Sequence, residues 1–449
     1  SLMKSCYFNN PTAPDDFAVV PPWKEEFTDP ATEGAFGLDA DGVGSVYRLD
    51  PTEAILVFGT LPPEASYFGM QSYSFSRKGD YSTDNATYAL INSIGARDIF
   101  FHEIPLNTDR IGTINSLSDS VNNVVIERKS GSSWNQLRYF VVTPDRYMDK
   151  QVRQVLHRLG VAQKDIFSEA IPSNVSLGLD ADADEFTTFI RYSRPVDGGE
   201  EGSASWEWRQ DPDLRLLRIR DNRVRPPQLN PSWEADSPEQ RTAVPEAYLL
   251  PDLKDLAFRV SEAWDQECAG GDCLASGQGS QFIDTQSHPF NLVGPRCDEI
   301  GMDCLGDTQD ASYQFRPGLT LDDGEVWAVV GTLGTATGNA TYVSLGVNNI
   351  RLRLGAINVD GTELAGSADE YAVANADKLY VHYFTRDCEG LQDLTLGQCT
   401  SVADSEFVIP TGVRAGLVER DYVAPGTQRG PDSALTEPSI AVKLHRPTA

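Results

Sequence analysis

Residues 49–61 read LDPTEAILVFGTL and residues 321–333 read LDDGEVWAVVGTL. Seven of the thirteen positions coincide without a gap (Leu, Asp, Glu, Val, Gly, Thr and Leu), and later landmarks recur in the same order. ASYFGMQSY at 65–73 is echoed by ATYVSLGV at 340–347, LRYFVVTPDR at 137–146 by KLYVHYFTRD at 378–387, and EAIPSNVSLGL at 169–179 by FVIPTGVRAGL at 407–417. Ordered self-similarity of this kind predicts an internal duplication. The alternative is that β-rich chains reuse the pattern of apolar strand, Gly-Thr turn and aromatic strand.

The strand texture continues through most of both copies. AILVFG, YFGMQSYSF, DIFFHEIPL (98–106), NNVVIERK (122–129), LRYFVVT, EFTTFIRYSRP (185–195) and LRLLRIR (214–220) read as strands of the first copy. EVWAVVG, ATYVSLGV, NNIRLRLGAI, KLYVHYFTR, SEFVIP and SIAVKLHR read as strands of the second. One helix stands out after Thr143 and Pro144, where Met148, Val152, Val155, Leu156 and Leu159 form an apolar face before Gly160. A second spans 251–264, capped near Asp252. The expected fold is mainly β, of the α+β class: two related β-sandwich-like domains from an internal duplication, with a few helices. Barrels are the alternative. The expected boundaries are an extended N-terminal arm at 1–44, a first β-rich domain with one helix at 45–220, a Pro-rich linker with a helix and a Cys-rich loop at 221–312, and a second β-rich domain at 313–449. A length of 449 residues agrees with more than one core.

A formal charge of −29 sets 66 acidic against 37 basic residues. Nucleic acid and anionic membrane are therefore poor partners, and cations good ones. No apolar run approaches the roughly 20 residues that span a bilayer. Six of seven cysteines fall in close pairs, predicting the bridges Cys268–Cys273, Cys297–Cys304 and Cys388–Cys399, with Cys6 unpaired. Zinc prefers two-residue spacers that these pairs lack. Disulfides imply an oxidising compartment, so the expected location is secreted or periplasmic, at the cell envelope. SLMKSC at the start holds no apolar signal core, so an export signal is expected to have been removed or to lie outside this sequence. The sequons at Asn85, Asn174 and Asn339 suit exposed loops.

Chemistry is less legible. GxSxG, HExxH, GxxxxGK[ST] and GxGxxG are all absent. His102 (FFHEI) and His382 (YVHYF) lie in aromatic strands, one per copy, with Asp387 beyond the second; they are the catalytic candidates, against a reading as buried structural histidines. His157 falls on the helix and His288 in the Cys-rich loop. LDADADE at 179–185 places Asp180, Asp182 and Asp184 at alternate positions, offering oxygens to calcium. Alternate residues of an extended segment sit nearly 7 Å apart, so the competing reading is a solvated acidic loop. Calcium is the one metal suggested, and no cofactor is indicated. Tyr73, Arg77, Arg191, Arg194, Arg386, Arg420 and Tyr422 recur near equivalent strands, either as structural ion pairs or as a site for an anionic or hydroxylated ligand.

GTLPPEASYFGMQSYSF, the helix begun by TPDR and the closing ERDYVAPGTQRGP resemble features of uncharacterised exported bacterial proteins with paired β-rich domains of unknown function. That resemblance implies a two-domain β architecture and no chemistry. Two functions are carried forward: an exported enzyme acting on a small polar or lipid-like substrate in an inter-domain cleft, or a non-catalytic ligand-binding or envelope-associated protein. A small-molecule ligand is the partner expected of either. Nothing in the sequence indicates the oligomeric state.

Overall fold

A computed structural model describes residues 15–233, 241–287, 289–405 and 408–447. Cys6, His288 and two residues of SEFVIP lie outside the described residues. The described chain divides into two compact units, 15–233 with 289–310 and 241–287 with 311–447. The stretch 221–312 is thus shared between the units.

In the first unit we number eight strands: β1 (Asp15–Phe17), β2 (Glu53–Thr60), β3 (Ala65–Lys78), β4 (Asn107–Ser116), β5 (Leu137–Thr143), β6 (Ile166–Ala170), β7 (Glu185–Pro195) and β8 (Leu214–Arg220). They form two sheets, in the orders β8-β2-β5-β6 and β1-β7-β3-β4, extended by the two-residue strands Glu103–Ile104 and Val121–Asn122. In the second unit β9 (Ala311–Leu319), β10 (Glu325–Thr332), β11 (Tyr342–Asn349), β12 (Leu354–Asp360), β13 (Leu379–Thr385), β14 (Cys399–Ser401), β15 (Ala415–Tyr422) and β16 (Ile440–His445) form sheets in the orders β16-β10-β13-β14 and β9-β15-β11-β12. Adding eight to each number converts one pair of sheets into the other. Directions agree as well, because β5 with β6 and β13 with β14 pair parallel while the other pairs are antiparallel. The matched segments 49–61 and 321–333 supply β2 and β10, the same position in each unit.

Continuous apolar runs arise where a strand is buried on both faces. Ile55 and Val57 of β2 point into the sandwich with Phe68, Phe140, Phe186 and Ile190. Ala54 and Leu56 face the other way, under Met148, Val152 and Leu156 of the helix Arg146–Arg158. In β10, Trp327 and Val329 join the sandwich core, while Val326, Ala328 and Val330 lie under Leu253, Leu256, Ala257 and Val260 of the helix Leu250–Ala263. The covering helix follows β5 in the first unit but precedes β9 in the second. The role repeats although the place in the chain does not.

Several local readings change. NNVVIERK is a helix, Asn123–Ser130, because the Asn122 side chain accepts from Val125 N and caps it. Residues 98–100 of the DIFFHEIPL stretch belong to the short helix Arg97–Phe100. Asp145, not Thr143, caps the helix Arg146–Arg158, and the helix Leu250–Ala263 has a proline in its first turn and no side-chain cap. Residues 15–44 are more than an arm: β1 extends a sheet, Val20 is buried, and Phe17 stacks on Phe36 at 4.3 Å. The Cys-rich loop contains the short strands Gly279–Gln281 and Ile283–Asp284, which add edges to the second unit's sheets. Asn339 is buried against Glu246 and Val244, and Asn85 caps a helix, so the sequon at 339 does not mark an exposed loop.

Buried arginines hold the first unit's edges. Arg48 pairs with Glu185 at 3.1 Å, and Arg218 with Glu53 at 2.7 Å and Glu26 at 2.5 Å. The predicted bridges Cys268–Cys273, Cys297–Cys304 and Cys388–Cys399 all form. The glycine shared by the two matched segments is explained by close approach: a Cβ on Gly331 would lie 2.2 Å from Ser439 Oγ and 2.5 Å from the ring of the fully buried Tyr380. At Gly59 it would meet the carbonyl of Asp213. Gly331→Ala is therefore expected to lower stability by about 1–3 kcal/mol, read as a reduced midpoint in urea unfolding with an unchanged slope.

Candidate functional site

One end of the second unit's sandwich opens into a cleft of about 570 Å³, lined by Asp265, Gln266, Gln278, Ser280, Arg316, Trp327, Lys443 and His445 among others. Four distant pieces of chain build it. Residues 265–267 follow the helix Leu250–Ala263, and 277–280 lead into the edge strand Gly279–Gln281, which pairs with Ile440–Val442. Between them the bridge Cys268–Cys273 is buried against the helix Leu250–Ala263 and ties the two segments together. Gln266 clamps the end of β16, donating to His445 O at 2.6 Å and accepting from His445 N at 2.9 Å. Trp327 is buried and donates to Thr320 O at 2.7 Å, while Arg316 and Lys443 lie over its ring at 5.9 and 5.8 Å. Lys443 is paired with Glu325. Arg316 donates to Ser280 Oγ at 2.5 Å and to the carbonyl of Pro317. The arrangement can bind polar or charged groups.

The residues singled out from the sequence stand elsewhere. His382, on β13, is buried, bonds Thr400 Oγ1 at 2.8 Å and packs on Phe384; burial pulls its pKa down to about 4, so the ring is neutral at ordinary pH. Asp387 is largely exposed and pairs with Arg446 at 3.6 Å. His102 meets the buried Asp303 at 3.3 Å, and its ring fills the space that a Cβ on Gly112 would need. Arg191 donates to Tyr73 Oη at 2.7 Å, with the Tyr73 ring on Phe189 at 4.4 Å. Arg77 pairs with Asp184 at 3.3 Å and with Asp298 at 3.7 Å; burial raises Asp298 to about 6 against the pull of Arg77. Arg194 takes a left-handed conformation, φ +55°, near the end of β7. Arg386 donates to the carbonyls of Leu321, Val402, Ala403 and Ile409, tying loops together. Arg420 lies over Tyr313, and Tyr422 packs on Tyr342 at 5.2 Å. Of the carboxylates offered to calcium, Asp180 accepts from Asp182 N, Asp182 pairs with Lys78 and Asp184 accepts from Ser176 N. Their oxygens go to separate partners, and no group of three His, Cys, Asp or Glu able to hold a metal forms among the described residues.

No family model and no curated protein matches the chain. A crystal structure of a Vibrio parahaemolyticus protein shares 11% identity over 88% of this chain and 87% of its own, with a TM-score of 0.34. An uncharacterised protein from Burkholderia cenocepacia shares 10% identity over 99% of this chain and 86% of its own, with a TM-score of 0.36. No helix of the described residues is long and apolar enough to cross a membrane.

A second group of titratable residues lies inside the same unit. Glu246, Glu419 and Asp421 are all buried. Glu246 accepts from Thr332, Thr337, Asn339 and the backbone N–H of Glu437 at 2.6–3.0 Å. Glu419 accepts from Ser439. Asp421 Oδ1 faces the α-carbon of Gly334 with no hydrogen-bond partner among the described residues. Burial pushes Glu419 up to about 7, and burial together with the Glu419 and Glu246 charges holds Asp421 well above the carboxylate range. A carboxyl raised from 4.5 to about 7 binds more protons folded than unfolded between those values, so its contribution to stability falls as pH rises through that window. Glu419→Gln removes this term. The variant's melting temperature is expected to fall less than the wild type's between pH 5 and pH 8, by about 3 °C or more; parallel pH profiles in scanning calorimetry would refute it.

Proposed function

We propose that this is an exported, non-catalytic protein that binds a small polar ligand in the cleft of its second unit. One observation carries the reading: a cavity of about 570 Å³, within the range of small-molecule sites, is lined by charged and amide side chains around one buried indole. Three disulfides support the exported location. The matching order and direction of sixteen strands, with the thirteen-residue sequence match, supports descent of both units from one ancestor. Keeping the second sandwich while gaining a disulfide-tied segment beside the cleft would give one copy a site that the other need not have.

An enzyme remains the second reading because of the His102–Asp303 pair, a part-exposed imidazole beside a fully buried carboxylate. Among the described residues it is the one histidine–carboxylate pair within 4.0 Å. Such a pair also serves as a structural hydrogen bond.

A thermal-shift panel of sugars, sugar acids, amino acids and polyols tests the binding reading. At least one class is expected to raise the melting temperature by about 2 °C or more, since ligand at a hundred times its Kd adds about 2.7 kcal/mol. Gln278→Trp, which fills the cleft, should abolish the shift. A silent panel, or a shift that survives Gln278→Trp, contradicts it.

A further inference from the structure

Arg316 sits in an unusual position for this chain. With 66 acidic residues to 37 basic ones, carboxylates are abundant, and other arginines withdrawn from solvent have taken them: Arg48 has Glu185, Arg218 has Glu53 and Glu26, Arg225 has Asp145 and Asp221, and Arg77 has Asp184 and Asp298. Arg386 has none but is ringed by four carbonyls. Arg316 is half-buried, and its partners are one hydroxyl and the carbonyl of the next residue. No carboxylate of the described residues lies within ion-pair distance of it, and burial alone pulls its pKa down. Removing a guanidinium from water without a counter-charge is costly, and this one lines the cleft.

We propose that the cleft takes a small hydroxylated carboxylate, the chemical class of the uronic and aldonic acids, with its carboxylate on the Arg316 guanidinium. This rests on the binding reading above and names its ligand class. A planar fork of N–H donors matches a carboxylate in two parallel hydrogen bonds. Lys443 adds positive charge but is already shared with Glu325, which leaves Arg316 as the main anchor. Asp265 and Glu267, exposed and also lining the cleft, disfavour a dianion such as a phosphate monoester more than a monoanion. Gln278 and Ser280 stand where hydroxyl groups of the ligand would need partners. Trp327 offers no face for stacking a sugar ring, since the two cations lie over it; its part is to hold them in place.

Isothermal titration calorimetry with glucuronate, glucose and glucose 6-phosphate tests this on the full chain. Glucuronate is expected to bind at least ten times more tightly than either of the others, and to weaken several-fold between 20 and 300 mM NaCl, roughly as screening of a charge pair requires. Arg316→Gln should cost glucuronate at least tenfold while leaving Gln278→Trp, the cleft-filling variant, as the complete loss. Should Arg316→Gln fail to fold, the salt dependence and the glucose comparison in the wild type still decide the matter. Glucose binding as tightly as glucuronate, or glucuronate binding insensitive to salt, overturns the carboxylate assignment and leaves the binding reading intact. Tighter binding of glucose 6-phosphate overturns the preference for a monoanion. Glucuronate binding that survives Gln278→Trp overturns both readings, because the site is then elsewhere.

Discussion

A strand that is apolar on both faces must be covered twice, and in each unit that demand falls on a strand inside the sheet, β2 or β10. One cover is always the opposing sheet. The other is a helix, and each unit obtains it from a different part of the chain. Full burial of Val326 and Val330 removes two side chains from water, each worth about 1.5–3 kcal/mol, with a smaller contribution from Ala328, and the sum is a large fraction of a typical domain's stability. The helix Leu250–Ala263 is therefore part of the second unit's core, whatever its distance in sequence from β10. The glycine that ends each central strand belongs to the same constraint, since it lets neighbouring groups close over the strand where a methyl would not fit.

Charge is organised by burial. The excess of acid leaves many carboxylates in solvent, but it also places several inside, and their surroundings differ. In the first unit Glu53 and Glu185 face arginines. In the second, Glu246, Glu419 and Asp421 have hydroxyl, amide and backbone donors, with no cation among the interactions that set the titration of Glu419 and Asp421. Burial also raises Glu53 to about 7 in spite of Arg218, so Glu53 and Glu419 alike contribute less to stability as pH rises through that range.

Much of the architecture was legible because its causes are local. Close cysteine spacing leaves little freedom of pairing, a helical face is visible in Met148, Val152 and Leu156, and a twofold apolar strand stands out in AILVFG. NNVVIERK misled for an equally local reason: Val-Val-Ile suits a strand, but one asparagine cap outweighs it. The cleft was not legible, since Asp265, Ser280, Arg316, Trp327 and Lys443 meet only through strand pairing across nearly two hundred residues. Its one local trace was the polar, Cys-stapled stretch after residue 268. Conversely, the tyrosines and arginines that recur near equivalent strands are largely taken up by structure: Arg191 on Tyr73, Arg386 on four carbonyls, Tyr422 on Tyr342.

The two units are threaded through one another along the chain: residues 241–287 belong to the second, 289–310 to the first, and 311 onward again to the second. During synthesis the first unit cannot close until residue 310 has emerged, by which time the covering helix of the second is already outside the ribosome with an apolar face and no sheet to lie on. Neither unit is a contiguous cassette. Recombination that cuts near residue 240 or 311 would orphan an apolar surface on one side or the other, and neither fragment would carry one complete unit without a piece of its neighbour.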